Sequence, residues 1–146
     1  MNDLTTNKSG AAFWVLGGLF LLWNLFGCAA YLMDVMMSDE AYADAYGAAM
    51  AAVRDKYPMW SYAAYAIAVW GGLIGAVLLL LRKKLSVTLF IISLVAAVIS
   101  FYWGLTNTEA RAAAGDTAWI MPVLVFGIGV LEIWWSRKKA ADGTLR

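Results

Sequence analysis

Few residues in this 146-residue chain have the chemistry to bind or transform a ligand. The chain has no histidine, which removes imidazole catalysis and histidine metal ligation. Cys28 is its one cysteine, which excludes an internal disulfide, a CxxC redox pair and cysteine-rich metal clusters. What remains is a short set of polar and aromatic residues inside long apolar runs: Asn24, Tyr31, Trp70 and Glu132. Gly17, Asn24, Cys28 and Tyr31 recur at steps of seven, four and three, which is one helical face, and Asp34 continues it. Such a stripe either lines a polar path or packs on a neighbouring helix. An interhelical hydrogen bond of roughly 0.6–2 kcal/mol accounts for one buried asparagine without a ligand, and packing is the preferred reading. Glu132 is the costliest placement, a carboxyl inside an apolar run and five residues before Arg137. It reads as an ion pair or protonated acid bonded to a helix neighbour, with Arg82 or Lys83 in reach, or as a coupling carboxylate. Asn24 and Trp70 fall near mid-span, where transport sites form.

The elements that must position these residues follow from composition. The chain is 63% hydrophobic and only 14% charged, against about 45–50% and about 25% in an ordinary soluble domain. A soluble fold of this size has too much surface for so few polar residues. A bilayer core about 30 Å thick needs about 20 apolar residues in helix. Four segments supply them, at about 11–36, 60–81, 85–105 and 118–136. The expected fold is therefore all-α, a four-helix transmembrane bundle forming a single integral membrane domain over 1–146.

Basic residues give the expected direction. Lys8, Arg82, Lys83, Lys84, Arg137, Lys138, Lys139 and Arg146 fall on one side, and Arg54, Lys56 and Arg111 on the other. Both termini are expected in the cytoplasm of a bacterial inner membrane. Trp14, Trp134 and Trp135 then form an inner aromatic belt and Trp60, Trp103 and Trp119 an outer one. The stretch from Lys8 to Cys28 is long for a signal h-region and is interrupted by Trp23-Asn24, so the first span reads as uncleaved.

Between the first two spans, Ser38 is placed to cap a helix whose first turn holds Asp39 and Glu40. Tyr42, Tyr46, Ala49, Met50, Val53 and Tyr57 recur at helical steps and give one apolar face. The expectation is one amphipathic helix over about 39–56 on the outer side, stopped before Pro58. Its tyrosines read first as interfacial anchors and second as the lining of a ligand entrance. Residues 106–117 read as a short connection ending at Gly115, with Asp116 placed to cap the fourth span.

Helix contacts are expected at two small-residue seams. Ser86, Ser93, Ser100 and Asn107 recur by sevens in the third span, and the second carries a GxxxG from Gly71 to Gly75. Gly71, Gly75, Ser93 and Ser100 are thus candidate packing positions, within the monomer or between copies. No nucleotide, zinc or carboxylate–histidine motif occurs, and the basic clusters are too short for nucleic acid. No cofactor, no metal and no enzymatic activity are expected; the implied partners are the bilayer and either further copies of the chain or another membrane protein.

The runs Trp23-Asn24-Leu25-Phe26-Gly27, Tyr31-Leu32-Met33 and Met37-Ser38-Asp39-Glu40 resemble a family of small bacterial membrane proteins. So do Tyr57-Pro58-x-Trp60, the stretch Ala66-Ile67-Ala68-Val69-Trp70-Gly71-Gly72, and the leucine-rich run into Arg82-Lys83. The likeness covers about residues 14–95. That family, with four predicted spans, is commonly labelled sugar transporters, and the resemblance implies a shared four-span fold and transport by label. It brings no sugar-binding residues to carry over. Two functions are expected from the whole: a small-solute transporter or transporter component, oligomeric because four helices make a thin wall, or an accessory subunit whose seams dock another membrane protein.

Overall fold

The computed structural model describes residues 10–146, which form helices joined by short turns, with no strand among the described residues. Lys8, counted above with the basic side, lies outside them. Helix α1 covers Ala11–Met36, α4 covers Met59–Leu80, α5 covers Leu85–Thr106 and α7 covers Ile120–Ala141. Each is long and apolar enough to cross a membrane, and outward-facing side chains such as Val15, Leu22, Ile67, Ile91, Val123 and Val130 leave apolar surface exposed all round. Only lipid satisfies such a surface, and the chain is a multi-pass, all-α membrane protein.

The expected amphipathic helix over 39–56 is in fact two, α2 (Asp39–Tyr46) and α3 (Ala48–Arg54). Gly47 between them has φ 90°, which lies outside the helical region and breaks the run. Ser38 caps α2 as its sequence predicts, its Oγ accepting from the Ala41 N–H at 3.3 Å. Asn107 does the same for α6 (Thr108–Ala114), accepting from the Ala110 N–H at 3.0 Å. Asp116 does not cap the fourth span. It lies in a 3-10 turn, Gly115–Trp119, that runs into α7 without a side-chain cap. Helix α7 also continues past residue 136, through the basic cluster to Ala141. Lysines are favoured at a helix C-terminus, and Lys138 and Lys139 lie over the rings of Trp134 and Trp135.

The long helices pack in sequence, α1 on α4, α4 on α5 and α5 on α7, so that α1 and α7 end the row and meet only sparsely. The tightest interface is α4 with α5, and the predicted seams close it inside the chain. A Cβ at Gly75 would press on the Phe90 ring at 3.1 Å. Ser93 Oγ donates to the Ala68 carbonyl at 2.6 Å, and Ser61 Oγ donates to that of Ser100 at 2.8 Å. Gly71 is looser than its GxxxG suggests, since a Cβ there meets Ser93 only at 3.8 Å.

At the end bearing the basic turn, the bundle is filled. Phe13, Phe20, Leu79, Phe90, Trp135 and Leu145 form one buried cluster. Leu145 is held there by backbone pairing: the Arg146 N–H donates to the Arg82 carbonyl at 2.6 Å, and the Lys84 N–H donates to the Arg146 carbonyl at 3.0 Å. Arg82 turns between α4 and α5 with φ 58°. At the opposite end α2, α3 and α6 form a cap, α3 lying on α6 and α6 on α5. An ion pair between Lys56 and Glu109 ties the cap together.

Candidate functional site

Where large residues fill one half of the bundle, small ones leave the other half hollow. A cavity of about 720 Å³ lies among the four long helices. Each helix lines it only along the half nearer the cap: α1 from Trp23 to Asp34, α4 up to Val69, α5 from Ser93, α7 down to Glu132. Ala30, Ala68, Ala97, Gly104 and Gly129 are among its walls, and none of them reaches across the space. The buried cluster around Phe20 and Leu79 closes the far side. The cavity thus occupies only the half of the bundle nearer the cap, with a floor near mid-bundle.

Asn24 and Glu132 make the floor. Both are buried, Glu132 at only 3% exposure. Asn24 Nδ2 donates to Glu132 Oε1 at 2.5 Å and to the Phe20 carbonyl, one turn back on its own helix, at 2.8 Å. The pair joins α1 to α7, the two helices that otherwise barely touch. Gly72 makes it fit, because a Cβ there would overlap Asn24 Oδ1 and stand 3.0 Å from Ser93 Oγ. Glu132 therefore has a helix neighbour as its partner, as one sequence reading held, but that neighbour is Asn24 and neither Arg82 nor Lys83.

The other predicted residues fare differently. Tyr31 packs edge-on against Tyr65, ring centroids 5.1 Å apart, and does not line the cavity, whereas Tyr65 does. Trp70 points outward and is 41% exposed, away from the hollow. Cys28 is buried and donates its thiol to the Val69 carbonyl at 3.3 Å, a packing contact. Among the described residues no three carboxylate or thiol groups converge as metal ligands.

Aromatic rings line the cavity's cap end. Tyr42, Tyr46, Tyr57 and Tyr62 border it, so the cap tyrosines belong to the lining. Burial pushes the phenols of Tyr42 and Tyr57 up from their ordinary value, and the nearby Asp34 carboxyl adds to the effect. Both are therefore neutral at neutral pH. Tyr57 packs at a tilt against Trp103, centroids 4.4 Å apart.

Arg54 organises this end, a role that no pattern around it in the chain marks. Its guanidinium donates to the carbonyls of Asp34 (2.6 Å) and Met37 (3.0 Å), which terminate α1, and pairs with Asp39 at 3.1 Å. It also lies 4.5 Å over the Tyr42 ring. A cation at a helix C-terminus is favourable, and the planar fork lets one side chain serve these partners together with the Tyr62 hydroxyl, to which it also hydrogen-bonds.

No family model matches the chain, and neither the curated proteins nor the solved structures yield a match. The functional reading rests on the site itself.

Proposed function

We propose that this protein is a small-solute transporter or transporter component of the bacterial inner membrane, acting as an oligomer, with both termini cytoplasmic. One observation carries the reading: a cavity of about 720 Å³ occupies one half of the bundle and stops at a buried amide–carboxyl pair. Polar groups at that depth are costly, and a ligand path is a standing reason for them. A cavity open to one side and plugged on the other is what one state of an alternating-access cycle requires. The basic clusters at the plugged end support a cytoplasmic position for it, and in that orientation the cavity lies on the outer side.

Two further features support the reading. Ser86 Oγ and Trp135 Nε1 are buried at the plugged end without a partner among the described residues. Such groups cost free energy in the closed state and lower the barrier to opening it. The sparse α1–α7 contact leaves one wall of the cavity thin, a side that a second copy would cover. The likeness over about residues 14–95 to proteins labelled sugar transporters points the same way. The docking-subunit alternative loses its motifs, since the small-residue seams are consumed between α4 and α5.

Thiol accessibility tests this reading. In a Cys28→Ser background, Ala97→Cys faces the cavity and Ile67→Cys faces lipid. A membrane-impermeant maleimide applied to whole cells should label the first and spare the second. Silence at position 97 from both faces would mean a dry bundle and would end the transport reading.

A further inference from the structure

The cavity has a one-sided chemistry, and this deepens the transport reading, on which the inference rests. Two ionisable side chains among its lining residues are carboxyls, Asp34 and Glu132, and among the described residues no lysine or arginine lines it. Arg54, on the cap, is engaged by two carbonyls, Asp39, the Tyr62 hydroxyl and the Tyr42 ring and offsets Asp34, which leaves Glu132 as the carboxyl without a cation beside it.

Hydrogen-bond capacity is equally skewed. Ser61, Ser93 and Ser100 each give their hydroxyl proton to a backbone carbonyl, of Ser100, Ala68 and Ala97 respectively. Both amide protons of Asn24 are used, on Phe20 and on Glu132. At the floor the positions left to a ligand are Glu132 Oε2, Asn24 Oδ1 and serine lone pairs, while the Tyr62 and Tyr65 hydroxyls and the Trp23 indole above them can also donate. A neutral polyol would engage that upper lining more than the floor, and an anion would meet two carboxyls. A protonated amine needs only acceptors, and a carboxylate best of all. Above the floor, Trp23, Tyr62, Tyr65 and Phe101 supply ring faces and apolar surface. Aromatic rings attract cations, and Tyr42 already holds the Arg54 guanidinium in that way.

We propose that the cavity binds a protonated organic amine with an aromatic or alkyl body, its ammonium at Glu132 and its body among the rings of α1, α4 and α5. The amine donates to Glu132 Oε2 without breaking the Asn24 bond to Oε1.

The test is calorimetric titration of the full chain in lipid nanodiscs, with empty nanodiscs subtracted. The probes are phenethylammonium, its neutral counterpart 2-phenylethanol, phenylacetate and methyl glucoside. Phenethylammonium should saturate, with the other three at least ten-fold weaker. Glu132→Gln keeps an acceptor for Asn24 and should lower amine affinity ten-fold or more. Equal binding of 2-phenylethanol or methyl glucoside would overturn the proposal, and that comparison needs no variant to fold. So would undiminished amine binding by Glu132→Gln. Labelling of Ala97→Cys in the same nanodiscs separates the two levels. A reactive thiol with no amine preference sinks the amine and leaves transport standing; an unreactive thiol sinks both.

Discussion

Asn24 on α1 and Glu132 on α7, 108 positions apart, share a hydrogen bond of 2.5 Å between two buried side chains. It spans the open edge of the helix row, so the two residues act both as the floor of the cavity and as the clasp that holds α1 to α7. Truncation and isosteric replacement should therefore part company. Glu132→Ala leaves an Asn24 donor unpaired and should cost about 1–3 kcal/mol of stability. Glu132→Gln should melt within about 1 kcal/mol of wild type while losing ligand binding or flux. Thermal unfolding in detergent, followed by helical circular dichroism, checks the first half. A melt of Glu132→Ala equal to wild type would show that the clasp carries no weight.

Neighbouring glycines on α4 should respond very differently to alanine. At position 72 the added methyl overlaps the Asn24 amide and crowds Ser93; at position 71 it meets ordinary contact distance. Gly72→Ala is expected to cost about 1–3 kcal/mol through overpacking and to displace Asn24 from Glu132. Gly71→Ala should stay within about 0.5 kcal/mol. Comparable melts for the two variants would contradict the packing described.

At the cap, lysine should fail to replace arginine. Arg54 serves two carbonyls, a carboxylate and a ring at once, and an ammonium cannot reach them in the same geometry. Arg54→Lys should loosen α2 and α3, read as faster amide exchange or proteolysis there, with the spans intact. Asp39 is largely exposed, and Asp39→Ala should cost no more than about 0.5 kcal/mol.

Leu145 anchors the plug and is 1% exposed. Leu145→Ala should destabilise by about 2–4 kcal/mol and admit impermeant reagent from the basic end to a thiol at Leu79→Cys. Protection of that thiol equal to the wild-type background would show that Leu145 is not what closes this end.

Asp142 should make the same segment sensitive to acid. Its carboxyl lies below the ordinary range first because Thr144 donates its hydroxyl to it; burial is the next largest influence and opposes, and Lys139 and the Thr144 N–H lower it further. A lowered folded value means the contribution is complete above the unfolded carboxylate range and is lost as pH falls through the folded value. Amide exchange at Thr144 and Leu145, corrected for its intrinsic pH dependence, should therefore rise in strong acid. Asp142→Asn should remove that step, and a step that survives the substitution would point to another group.

Some of this protein is legible residue by residue. The spans begin and end almost where their apolar runs do, because the length needed to cross a bilayer is a local property of the chain. Ser38 caps α2 because a side-chain oxygen next to a helix start has its partner three residues away. The break at Gly47 is hidden in the sequence because the apolar stripe runs straight through it; only its positive φ shows it. The sequence also marked Asn24 and Glu132, since a polar group inside an apolar run needs a reason wherever it lands.

What no single segment contains is the rotation of each helix about its axis. These spans are apolar all round, so the pattern does not say which face turns inward. Trp70 and Val69 are adjacent in sequence, yet Val69 lines the cavity and Trp70 faces out. Close approach decides that: Gly72 and Gly75 turn α4 toward Asn24, Ser93 and Phe90, and carry Trp70 away. The sequence by itself determined an all-α chain of four spans and the polar residues that must find partners. Only the tertiary structure decided that Asn24 meets Glu132, and that small residues on four separate helices leave one shared hollow above them.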